Sequence, residues 1–116
     1  MPTPAINDSV VAGARRFLET LNASGGTPIE RLSPQAARQV LTDAQNSVRV
    51  DLSGVERSEK TIDADGQSLK LHVLKPAGAA ATGLPAFMFF HGGGWVLGDY
   101  LTHERLVRDL VVESGA

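Results

Sequence analysis

The strongest constraint on this chain is the run Ala86-Phe87-Met88-Phe89-Phe90, broken off at once by His91-Gly92-Gly93-Gly94-Trp95. An apolar run with no polar alternation suits a strand covered on both faces, as in a parallel or mixed sheet. Three consecutive glycines reach backbone conformations closed to other residues and leave their N–H groups uncovered. Bare amide donors at the end of a buried strand are a place to hold a negatively charged oxygen. A plain flexible turn is the simpler reading, since glycine clusters punctuate many loops. Two phosphate-binding readings fail letter by letter. A dinucleotide fingerprint from Gly92 meets Gly94 but then Leu97, and a P-loop from Gly93 meets Gly98 but then Asp99 in place of lysine.

The stretch His91-Gly92-Gly93-Gly94-Trp95-Val96-Leu97-Gly98-Asp99, with Thr102-His103 after it, resembles the hormone-sensitive-lipase-type branch of the α/β-hydrolases. That branch consists largely of bacterial carboxylesterases acting on short acyl chains, and the order of segments in all 116 residues resembles it too. The resemblance implies an α/β chain forming the N-terminal part of an α/β-hydrolase fold: cap helices over residues 1–50, then first strands, oxyanion loop and first helix over 51–116. It implies that Gly93 and Gly94 supply oxyanion donors, that Gly92 shapes the turn and that His91 braces the loop without serving as the base. Trp95 would wall the substrate pocket; plain core packing is its other reading. No cofactor and no metal are implied. His91 and His103 could share a metal on paper, but no carboxylate–histidine ligand pattern accompanies them.

Charge and composition exclude other classes. Eleven basic and thirteen acidic side chains give a formal charge of −2, with no long run of either sign, so nothing points to nucleic acid. There is no cysteine, hence no disulfide, thiol nucleophile or thiolate metal site, which agrees with a cytoplasmic location. The start, Met1-Pro2-Thr3-Pro4, has neither the basic residues nor the apolar core of a signal peptide. No apolar run approaches the roughly 20 residues of a membrane span.

Periodicity places the elements. Asn7, Asp8 or Ser9 caps a first helix to about Asn22, with Val10, Ala14, Phe17 and Leu21 in its apolar stripe. Thr27-Pro28-Ile29-Glu30 predicts only a turn, because Ser33-Pro34 follows so soon. Ser33 caps a second helix from Pro34 to about Asn46, with Ala36, Ala37, Val40, Leu41 and Ala44 inward. A strand over Glu59–Ala64 meets the turn signal Asp65-Gly66, and Leu69, Leu71 and Val73 then alternate as the inner face of a second strand. His72 falls on the opposite face, as a surface histidine. A small-residue linker over 76–83 leads to Pro85 and the central strand. Leu101 to Ser114 is expected to be helical, with Leu106, Val107, Leu110 and Val111 inward and Gly115 as its stop.

A serine hydrolase of this class needs Gly-x-Ser-x-Gly, then an acid, then a histidine, in that order. No serine qualifies: Ser24 lacks the glycine before it, and Ser53 and Ser114 lack both. In the family the three triad residues lie downstream of Ala116. The apolar strand 86–90 also needs neighbours on both edges, and an open apolar edge invites aggregation. The expectation is therefore the N-terminal piece of a longer carboxylic-ester hydrolase. Its partners would be a small-molecule ester and the complementary C-terminal part of the same hydrolase, either in one polypeptide or as a separate chain. A homo-oligomer is a further assembly left open. The rival expectation is a non-enzymatic self-associating or binding domain that keeps the glycine loop as a relic.

Overall fold

The computed structural model describes residues 10–116, which divide at Leu32–Ser33 into two compact units. The first unit carries helix α1, Ala12–Ala23, and a single 3-10 turn, Ile29–Arg31. Val11 is the N-cap of α1 and supplies no side-chain bond, whereas the expected caps Asn7, Asp8 and Ser9 lie outside the described residues. The apolar stripe of α1 is open to solvent: Phe17 and Leu21 remain mostly exposed. The turn at Ile29–Arg31 is as short as Ser33-Pro34 requires, because proline disfavours helical backbone in the residue before it.

The second unit begins with α2, Pro34–Asn46. Ser33 caps it, its hydroxyl accepting from Ala36 N–H at 3.2 Å, and Pro34 occupies the first turn, where its missing N–H costs nothing. Strands β1, Val55–Ala64, and β2, Gln67–Pro76, pair antiparallel through ten residues each. Asp65 and Gly66 both take positive φ, 54° and 75°, the type I′ geometry that matches the twist of a two-residue hairpin. Helix α3 runs over Tyr100–Ser114, one residue earlier than expected. The signal for that start is Asp99 and Thr102, which cap each other reciprocally: Thr102 N–H donates to the Asp99 carboxylate at 2.9 Å and Asp99 N–H to the Thr102 hydroxyl at 2.8 Å. Gly115 closes the helix in left-handed conformation, φ 73°, as its position predicts.

Three expectations about faces need correction. In the hairpin, α3 covers the side carrying Arg57, His72 and Leu74, and leaves Leu69 and Val73 substantially exposed. Both faces of β2 carry apolar residues, so alternation could not choose between them; the covered side is the one with the part-buried Arg57–Glu104 ion pair. Glu104 of α3 is buried, and its carboxylate accepts from Arg57 Nε and from the Tyr100 hydroxyl at 2.9 Å. His72 is exposed, as its position predicts, and its ring stacks on that of Tyr100 at 3.8 Å and 6°. Along α3, Val111 is buried and Val107 half-buried, but Leu106 and Leu110 stay exposed. On α2, Ala37 is buried and Leu41 half-buried, while Ala36, Val40 and Ala44 are exposed.

The segment expected to be the central strand, 86–90, makes no sheet hydrogen bonds among the described residues. A strand exists only through its neighbours, and the hairpin is the one sheet described. Met88 and Phe90 are 77% and 81% exposed. The loop between α2 and β1 is tied down instead. Arg108 Nε donates to Ser53 O at 2.7 Å, and Ala77 N–H to Gly54 O at 2.9 Å.

Candidate active site: the glycine loop

The glycine loop follows segment 86–90 and ends at the cap of α3, and all five candidate residues, His91, Gly92, Gly93, Gly94 and Trp95, lie on an open surface. Gly93 O accepts from both Val96 N–H, at 3.1 Å, and Leu97 N–H, at 2.9 Å, which folds 93–97 into a tight turn. Gly93 has φ 130°, and a Cβ on it would stand 1.9 Å from Leu97 O, so no other residue fits. His91 Nδ1 donates to Gly92 O at 2.8 Å. Its ring stacks on that of His103, centroids 5.0 Å apart, and His103 Nδ1 lies 3.0 Å from the Thr102 hydroxyl and 3.2 Å from Asp99 O. The loop is thereby joined to the first turn of α3.

A peptide group is planar, with its C=O and N–H pointing in opposite directions. The bond from His91 to Gly92 O therefore sets where the Gly93 N–H points, and the two bonds on Gly93 O set the Gly94 N–H. Among the described residues neither of these two amides has an acceptor. The loop thus holds two oriented, unengaged donors on successive residues. Beyond them, Trp95 takes φ 59°, a left-handed conformation costly for a bulky side chain, and is wholly exposed at 100%. Arg38 of α2 reaches the other end of the turn, its Nε donating to Val96 O at 2.6 Å. Sequence reasoning missed this contact, because nothing local links positions 58 residues apart.

Two open hollows lie away from the loop. One, of about 390 Å³, has Arg49, Asp51, Arg105 and Arg108 among its lining; the other, of about 280 Å³, lies between Arg57, His72 and Tyr100. Among the described residues no cluster of histidine and acidic groups could hold a metal ion, and no helix is long and apolar enough to cross a membrane.

With that geometry in view, a thermostable esterase from Pseudomonas putida superposes with a TM-score of 0.91 at 59% sequence identity, over 97% of this chain and 35% of that one. The fold is the N-terminal part of an α/β-hydrolase. An esterase from the fungus Rhizomucor miehei agrees less closely, with a TM-score of 0.73 at 31% identity over 99% of this chain and 34% of its own. The carboxylic ester hydrolase LipN of Mycobacterium tuberculosis is 37% identical over 54 residues, 47% of this chain and 14% of that protein. No protein-family model matches the chain. Its homologues and structural neighbours are α/β-hydrolase esterases, and it spans about a third of the length of the solved ones.

Proposed function

We propose that this chain is the N-terminal portion of a carboxylic-ester hydrolase acting on short acyl esters, and that Gly93 and Gly94 are its oxyanion donors. The observation that carries the reading is the pair of oriented, unengaged amides, in a chain whose fold is shared with esterases at 59% identity. In such a hydrolase a serine oxygen attacks the acyl carbon and the carbonyl electron pair moves onto oxygen. The alcohol then leaves with a proton from the catalytic histidine, and water releases the acid from the acyl-enzyme. Donors already aimed at the developing oxyanion stabilise the transition state more than the substrate, each by ~10²–10³ in rate. Here Gly92 shapes the turn, His91 braces it through the Gly92 carbonyl, and Trp95 offers its ring to the acyl or alcohol group.

The serine, acid and histidine of the triad belong, in this proposal, to a C-terminal part that also supplies strand neighbours for segment 86–90. Residues 1–50 act as cap and 51–116 as the beginning of the core, in a cytoplasmic enzyme. Reading the coding sequence past the codon of Ala116 tests this directly. A Gly-x-Ser-x-Gly motif followed by an acid and a histidine is expected, together with hydrolysis of p-nitrophenyl acetate by the native protein. A native protein without that motif, and without turnover above buffer, overturns it in favour of a binding domain.

A further inference from the structure

Resting on the oxyanion reading, we infer that Arg38 is a positioning residue for the Gly94 donor. Arg38 sits on α2, in a part of the chain otherwise expected to act only as cap, and its Nε donates to Val96 O at 2.6 Å. Three rigid links connect that bond to the site. The guanidinium fixes the Val96 carbonyl and with it the Val96–Leu97 peptide plane. The N–H groups of Val96 and Leu97 both donate to Gly93 O, at 3.1 and 2.9 Å. Gly93 O and Gly94 N–H belong to one peptide, so holding the first aims the second. Gly93 N–H has a separate brace, His91 on Gly92 O. The two donors therefore have independent supports, one from within the loop and one from a distant helix.

A guanidinium is well suited to this role, because its N–H donors are fixed in a plane and its charge shortens and strengthens the bond to a carbonyl. Of its donors only Nε meets a described acceptor. Among the described residues no other side chain bonds the Val96 carbonyl, and Trp95 and Val96 are both exposed. Without Arg38 the turn keeps its internal bonds but swings as a unit, and Gly94 N–H leaves the line on which an oxyanion would form. A ground-state ester has less charge on that oxygen, so the loss falls on turnover and spares binding.

The test uses the native protein with Arg38→Ala and Arg38→Lys, alongside Gln39→Ala as a control on the same helix. Gln39 donates to Asp43 and has no described hydrogen bond to the loop. Expected for Arg38→Ala are a roughly tenfold fall in kcat, a KM within about twofold and an unchanged Tm. Added guanidinium should restore part of the rate, and Arg38→Lys should lie between, since its ammonium can reach but not fix the carbonyl. A displaced Gly94 amide resonance with an undisturbed Gly93 one is the matching spectroscopic sign. Gly93→Ala in the same series separates the two ideas. If it too keeps full kcat, the oxyanion reading itself falls. If it loses kcat while Arg38→Ala stays within about twofold of wild type, or loses rate that guanidinium does not restore in any part, the role of Arg38 is overturned alone.

Discussion

A methyl group on Gly93 would overlap the Leu97 carbonyl oxygen, so alanine there must push the 93–97 turn open. Gly94 is different: a Cβ on it meets nothing within 4 Å, and its φ of 59° costs alanine only about 1–2 kcal/mol. The two substitutions should therefore be unequal. Gly93→Ala is expected to lower kcat by at least ~10²-fold, as for a lost oxyanion donor. Gly94→Ala should lower it less, with a fall in Tm that reflects the strain. Steady-state kinetics and melting curves of the two variants check the order; a reversed order would mean that Gly93 is only a turn residue.

At the scale of elements, Glu104 joins α3 to the hairpin. Its carboxylate is buried and accepts from Arg57 and Tyr100, while Arg57 also donates to Leu52 O at 2.6 Å. Removing one partner of a buried pair leaves a charge without compensation. Arg57 is itself 39% exposed, so Arg57→Met should cost about 2 kcal/mol, below the range for a fully buried pair. Urea unfolding measures it, and a loss under about 0.5 kcal/mol would show that water replaces the arginine.

The same cluster sets an alkaline limit. Burial, then the hydrogen bond and charge of Glu104, hold the Tyr100 hydroxyl above its ordinary value of 10.0. A raised folded value means that the fold favours the neutral phenol. This contribution is complete below about pH 10 and is lost as pH rises through the folded value. Tyr100→Phe should flatten that limb of the stability profile; an unchanged limb would assign it elsewhere. Glu56 and Asp51 act in the opposite sense. The first is held low by Lys75 and the Gly78 amide, the second by Ser53, so their contributions are present above the ordinary carboxylate range and lost as pH falls.

What the sequence could convey follows the same division. Asp65-Gly66, Ser33-Pro34 and Gly115 announce their turn, cap and stop because each acts on backbone within a few residues. The glycine run announces a tight turn, seen at 93–97, for the same reason. Which hairpin face is covered, and what holds the loop, depend on Arg57 meeting Glu104 and Arg38 meeting Val96, 47 and 58 residues apart. Side chains that meet only after folding leave no periodic trace. The α1 stripe shows the converse: its apolar spacing is plain, yet no residue of that helix is buried.

For the molecule as a whole, the exposed apolar run around Met88 and Phe90 is a surface that invites association. Produced alone, residues 1–116 should self-associate through this segment, and Phe90→Lys should reduce light scattering by placing a charge in the apolar run. A segment that stays monomeric without the substitution would remove the need for strand neighbours.

The small covered interior also has a thermal consequence. Ala37 and Val111 are the only buried apolar residues among the described residues. Heat capacity rises on unfolding in proportion to the apolar surface newly wetted, about 12–15 cal/mol/K per residue for an ordinary domain. For 116 residues that would be about 1.4–1.7 kcal/mol/K. This segment has little dry surface to wet, so calorimetry on it should return well under half that value, with a broad endotherm and a nearly straight dependence of stability on temperature. The curvature of an ordinary protein would then have to come from surface that segment 86–90 and the exposed side of the hairpin bury against something else.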